Sequence, residues 1–140
     1  MPLSEAFVDP VTGLPNRTGL LAETPQKSTL LLVNVDWTAR SARGLDSRDR
    51  VARAVAAVLS RLLPSDVLLA RYADDVFALR MHGGRARPAL ALAKRILTAF
   101  ERPIAAADED DEISGTPSVG IVTGGTDVAA QVQDLSLIHI

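Results

Sequence analysis

Thr29-Leu30-Leu31-Leu32-Val33-Asn34-Val35-Asp36 is an apolar run that stops abruptly at polar side chains. Without the alternation of a strand half in water, it reads as a strand buried on both faces. Such a strand belongs in the middle of a sheet that is covered above and below. The rest of the chain must then supply the helices and flanking strands around it.

The pattern downstream does so. Between Asp49 and Leu63, the residues Val51, Ala54, Val55, Val58, Leu59 and Leu62 recur at spacings of three and four, while Arg50, Arg53 and Arg61 fall mainly off that stripe. This predicts an amphipathic helix, ended by Pro64-Ser65. Val67 to Arg71 and Asp75 to Met81 are short β-prone runs around Tyr72-Ala73-Asp74, which predicts a hairpin, with His82-Gly83-Gly84 as the next turn. Leu90, Ala93, Leu97 and Phe100 mark a second helix, stopped at Pro103. Pro103 to Ala107 and Thr116 to Thr123 are expected as two more strands. Between them, Asp108-Glu109-Asp110-Asp111-Glu112 lacks the spaced oxygens and glycine of a calcium loop and reads as a solvated tip. Upstream, Leu14-Pro15-Asn16-Arg17 leads from a turn into a short helix through Ala22. Together these elements predict an α+β (α/β) fold, a mixed sheet flanked by helices in a split βαβ or ferredoxin-like arrangement.

With 140 residues, 47% of them hydrophobic, the chain is sized for one core. A formal charge of −2 argues against a nucleic-acid binder, and no apolar run is long enough to cross a bilayer. The absence of cysteine removes disulfide, thiolate-metal and Cys-nucleophile chemistry. MPLSEAFVDP has neither the basic start nor the apolar stretch of a secretory signal, so a cytoplasmic location is expected.

The last segment reads differently. Gly124-Gly125-Thr126-Asp127 suggests a turn and N-cap, with a helix beginning over Val128 to Leu135. Leu135-Ser136-Leu137-Ile138-His139-Ile140 is the translation of one frame of a common transposon-based sequencing adaptor. Residues 135–140 are therefore expected to be non-native, and the domain to occupy residues 9–134 with its C-terminal part missing.

Three features lie in a telling order: Asp9-Pro10-Val11-Thr12-Gly13-Leu14-Pro15-Asn16-Arg17, the strand end Asn34-Val35-Asp36, and Arg71-Tyr72-Ala73-Asp74-Asp75-Val76-Phe77. A strand end beside a hairpin tip is how carboxylates gather into oxygen-rich Mg²⁺ sites. The first feature resembles the opening Asp-x-Leu-Thr-Gly-Leu-x-Asn-Arg signature of the GGDEF family, the diguanylate cyclase domain of bacterial cyclic di-GMP signalling. Asn34-Val35-Asp36 falls where that family has Asp-x-Asp, and Gly44 to Asp49 resembles its Gly-His-x-x-Gly-Asp stretch. Arg71 to Phe77 matches Arg-Tyr-Gly-Gly-Asp-Glu-Phe, and Ser118-Val119-Gly120-Ile121 matches Ser-Ile-Gly-Ile. The resemblance spans Asp9 to Leu135. It implies a nucleotide-cyclase-type fold, GTP as ligand, Mg²⁺ or Mn²⁺ as cofactor, a homodimer, and in longer proteins a downstream EAL phosphodiesterase domain. In the family, two domains face each other and the 3′-hydroxyl of one GTP attacks the α-phosphate of the other, which requires charge neutralisation by two metals.

The departures are specific. By the resemblance, the metal positions are Asn34, Asp36 and Asp75, and Asn34 puts a neutral amide where the family has a carboxylate, which weakens the site. The signature positions Ala73, Asp74, Asp75, Val76 and Phe77 keep the acid at Asp75, but Val76 has no polar atom for the work of the following Glu. The nucleotide positions are Asp49, Ala73 and Asp74. Ala73 adds a Cβ where a glycine would let the nucleotide approach, and Asp74 adds a charge where phosphates lie. Like charges about 4 Å apart repel by up to about 4 kcal/mol at a surface-like dielectric. The guanine-reading Asn has no counterpart among Ala39 to Arg43, and the product-binding Arg-x-x-Asp aligns with Leu63-Pro64-Ser65-Asp66, without its Arg. The expectation is a catalytically incompetent GGDEF domain acting as a regulatory or dimerising module. Two alternatives stand beside it: an active cyclase whose metal is held by Asp36, Asp74 and Asp75, and a GTP-binding sensor without turnover.

Blander readings compete at each position. Asn34 and Asp36 also serve as strand-end caps, and Asp74 and Asp75 as ordinary turn residues. His82 reads as a turn residue, Gly124-Gly125 lacks the Lys of a phosphate loop, and Trp37 reads as packing rather than base stacking.

Overall fold

The structure, a computed structural model, describes residues 6–22, 28–39, 46–83, 86–105, 112–125 and 136–138. In chain order these hold α1 (Arg17–Leu21), β1 (Ser28–Ala39), α2 (Asp46–Leu62), β2 (Leu68–Ala73), β3 (Val76–His82), α3 (Ala86–Ala99), β4 (Ile104–Ala105), β5 (Glu112–Gly125) and β6 (Ser136–Ile138). The apolar run is β1, and it lies between β3 and β5. The strand order is β2-β3-β1-β5-β4, with β6 beside β5.

This is the expected α+β class in the ferredoxin-like order, with one correction. The sheet was expected to be mixed, yet every described pairing is antiparallel. The reason is topological. Helix α2 returns the chain from the end of β1 to the start of β2, so those strands run the same way. Because β3 lies between them, they never share a ladder.

Both faces of β1 are covered, as its unbroken apolarity requires. On one face Leu31, Val33 and Val35 pack with Leu79, Phe77 and Val119 beneath Val51, Val55 and Leu59 of α2 and Leu92 and Ile96 of α3. On the other, Leu30 meets Ala70 and Ala78 under Leu20 of α1. Leu30, Leu31, Val33 and Leu59 are fully buried, at about 1.5–3 kcal/mol for each such side chain.

Element ends show local chemistry. Asn16 caps α1, its Oδ1 accepting the Gly19 amide at 2.8 Å. Helix α3 starts four residues before Leu90, because Pro88 falls in its first turn where no intrahelical N–H is lost. Gly83 turns the chain after β3 at φ +87°, and its carbonyl accepts the Thr29 hydroxyl at 2.9 Å. Strand β5 is longer than Thr116 to Thr123. Gly124 and Gly125, expected in a turn, complete it, since the ladder with β1 runs on to Ser28 opposite Gly125. Of the strand expected over Pro103 to Ala107, Ile104–Ala105 form β4, and Ala106 and Ala107 lie outside the described residues. Ser136–Ile138, within the segment expected to be non-native, pair as β6 with Val119–Ile121. Readings on Gly44, Asp108 to Asp111, Thr126 to Leu135 and His139 lie outside the described residues. No helix among the described residues is long and apolar enough to cross a membrane.

Candidate functional site

The segment before α1 folds on itself around one carboxylate. The Asp9 amide donates to Leu14 O (2.7 Å) and the Gly13 amide to Asp9 O (2.8 Å), with Gly13 at φ +76° where a Cβ would be strained. Asp9 Oδ2 accepts the Thr12 amide at 2.9 Å and the Thr12 hydroxyl at 2.7 Å. The same oxygen lies 3.3 Å from Arg71 Nη1. Burial pushes the Asp9 carboxyl up, but the two Thr12 hydrogen bonds and the Arg71 guanidinium outweigh it and hold its pKa below the ordinary value.

Arg71 is the hub. Only 8% exposed, it donates Nη2 to the Asp74 carbonyl at 2.8 Å and its own amide to Pro15 O at 2.8 Å. One side chain thus ties the N-terminal loop to the hairpin tip. The tip itself follows a register shift in β2 between Arg71 and Ala73, after which the exposed Asp74 and Asp75 turn the chain. No described non-glycine residue has positive φ, so this turn forms without the left-handed backbone that paired glycines allow.

Between hairpin tip, N-terminal loop and the start of α2 lies a pocket of about 530 Å³. Its floor is apolar: Val35, Val51, Val55 and Phe77. Its rim is acidic: Asp9, Asp49, Asp74 and Asp75, with Arg71 the one basic side chain among the described lining residues. The structure therefore brings together Asp49, Asp74 and Asp75, three positions singled out from sequence. Asp9 and Arg71, quoted within motifs but not read as site residues, join them, and the signal was present in those motifs.

Asn34 and Asp36 are placed differently. They alternate with buried Val35, project from the other side of β1 into solvent, and do not line the pocket. Asn34 sits directly opposite Val76 in the β1–β3 ladder. Ala73 is exposed at the tip, Phe77 is buried in the core, and the described residues contain no group of three His, Asp or Glu side chains arranged to hold a metal ion. A pocket with an apolar floor and an acidic rim repels a free triphosphate and admits one only with accompanying cations.

Comparisons agree with this architecture. A family model described as "Diguanylate cyclase, GGDEF domain" matches residues 6–136. No curated protein sequence matches the chain. Among solved structures, the FimX GGDEF domain of Pseudomonas aeruginosa is similar with a TM-score of 0.70 and 24% identity, over 91% of this chain and 87% of that one. The diguanylate cyclase SiaD of Pseudomonas aeruginosa, solved in complex with its activator SiaC, gives a TM-score of 0.72 and 25% identity, over 92% of this chain and 54% of SiaD. Vibrio cholerae LapD, an S helix-GGDEF-EAL protein bound to c-di-GMP, gives 0.59 and 20% identity, over 86% of this chain and 29% of that one. The chain thus spans about half of SiaD and under a third of LapD.

Proposed function

The chain belongs to the GGDEF family of cyclic di-GMP signalling, and from that premise we propose that it is a degenerate bacterial, cytoplasmic member that keeps the cyclase scaffold without the reaction. Its role is that of a regulatory or dimerising module, joined in a longer protein to partners such as an EAL domain.

One observation carries this reading: Asn34 and Val76 are direct partners across β1 and β3. By the family resemblance they occupy the places of a metal-binding Asp and of the Glu that follows the acid at Asp75. A neutral amide and an isopropyl group thus stand side by side where charge is required. Mg²⁺ sites rest on one or two carboxylates plus phosphates. The donors here do not fit the family's pair of ions, because Asn34 is neutral, Asp36 points off the far side of β1 from the pocket, and Asp75 is the one metal position of the resemblance that keeps its acid at the pocket rim. Asp74 adds a charge at the tip where the triphosphate would lie. Being exposed, it is screened by water, and its cost to an isolated anion is about 1 kcal/mol rather than the unscreened limit.

The pocket favours a second reading, nucleotide binding without turnover, since Asp49 and the apolar floor of Val35, Val51 and Phe77 remain. Calorimetric titration with a non-hydrolysable GTP analogue and Mg²⁺ separates the two. The module reading predicts no heat of binding, and saturable binding at micromolar nucleotide replaces it with the sensor reading. The reciprocal variant Asn34→Asp/Val76→Glu/Asp74→Gly should gain Mn²⁺-dependent analogue binding if the lost charges are what disable the site.

A further inference from the structure

The hairpin-end pocket turns phosphate away, and the same residues specify what it accepts. Four carboxylates, Asp9, Asp49, Asp74 and Asp75, line it against the single guanidinium of Arg71. Asp9 answers that guanidinium at 3.3 Å, so the excess negative charge sits on Asp49 in the first turn of α2 and on Asp74 and Asp75 at the tip. These acids come from two separate elements, and the described residues hold no group of three arranged around one metal ion. Carboxylates spread around a mouth suit an organic cation better than a compact inorganic one, which needs its oxygens on a common centre.

Two further features narrow the class. Below the rim, Val35, Val55 and Phe77 make an apolar floor in a cavity of about 530 Å³, within the size range of small-molecule sites. Arg71 lines the same cavity, is only 8% exposed, and keeps its Nε without a hydrogen-bond partner. Its other nitrogens are engaged, Nη1 by Asp9 and Nη2 by the Asp74 carbonyl. A buried donor left unmade is costly, and an acceptor oxygen brought by a ligand relieves it. We propose that the pocket binds a primary ammonium carrying an apolar body and a neutral carbonyl oxygen, as in the amide of an apolar amino acid or the N-terminus of a polypeptide. The ammonium meets Asp49, Asp74 and Asp75, the body lies on Val55 and Phe77, and the carbonyl accepts from Arg71 Nε. The oxygen must be uncharged, because a carboxylate would meet the acidic rim. The inference rests on the reading that the pocket no longer serves the family's nucleotide, and it names what the pocket takes instead.

Calorimetric titration of the unaltered chain with leucinamide, in low salt and without nucleotide or divalent metal, should show saturable binding. N-acetyl-leucinamide, with the same body and carbonyl but no charge, should give no heat, and isopentylamine, with the charge but no carbonyl, should bind more weakly. Exposed pairings are individually weak, so Asp74→Asn/Asp75→Asn should loosen leucinamide by about tenfold with an unchanged circular dichroism spectrum. Leucyl-glycinamide separates the sources: tighter binding than leucinamide supports a polypeptide N-terminus, and equal binding supports a free amine. No saturable heat at millimolar leucinamide, or an acetylated compound or isopentylamine that binds as tightly as leucinamide, overturns the proposal. The nucleotide is read separately. If neither leucinamide nor the GTP analogue binds, this inference alone falls, whereas an analogue that binds and excludes leucinamide strikes the reading beneath it.

Discussion

Arg71 makes three contacts: its guanidinium reaches Asp9 across the N-terminal loop and the Asp74 carbonyl at the hairpin tip, and its backbone amide donates to Pro15 O. Asp9→Asn leaves that largely buried cation without its counter-charge. Breaking such a pair costs about 2–4 kcal/mol, which urea denaturation should read as a lowered midpoint with an unchanged slope. The pair also sets a pH dependence. The Asp9 pKa is depressed in the folded state below its ordinary value of 3.8. Its contribution is therefore complete above that value and is lost as pH falls through the folded pKa. Stability measured from pH 6 downward should fall off below about pH 4 in the parent, and fall off less in Asp9→Asn. Equal acid sensitivity in the two proteins would show that the carboxylate is not stabilised as described.

At the scale of elements, the contact between α1 and the loop before it is tight. A Cβ on Gly19 would strike the Phe7 carbonyl, which already accepts the Asn16 amide at 2.8 Å. Gly19→Ala should therefore cost about 1–3 kcal/mol by overpacking, despite alanine's better helix propensity, and a thermal melt should show a lowered midpoint. In the central layer, Leu31→Ala removes a fully buried side chain held between α2, α3 and the sheet, and should cost about 2–5 kcal/mol. These elements were legible because their chemistry is local. The unbroken apolar run announced β1, the three-four stripe announced α2, and Leu14-Pro15-Asn16-Arg17 announced the turn into α1. What local chemistry could not reveal was pairing. Gly124-Gly125 is a turn by composition and a strand by partnership with Ser28, and the sheet's uniform antiparallel character follows from β3 lying between β1 and β2. The site was legible in the same partial way. The family resemblance pointed to Asp49, Asp74 and Asp75, but only alternation along a real β1 shows that Asn34 and Asp36 leave the pocket on its far side, and only folding brings Asp9 to Arg71.

Across the whole molecule, the family's fold carries an acidic rim at the hairpin end. The hairpin end holds an acidic pocket whose one described cation is already engaged by Asp9. An acidic rim of that kind repels a free phosphate that arrives without cations. The sheet sets Asn34 beside Val76 in the β1–β3 ladder. On the proposed reading, loss of reaction would be a matter of side-chain chemistry on the family's frame. The direct measurement is production of cyclic di-GMP from GTP by the chain with Mg²⁺ or Mn²⁺, followed by chromatography. The account predicts no product above an enzyme-free blank, whereas turnover that disappears in Asp75→Ala would contradict it.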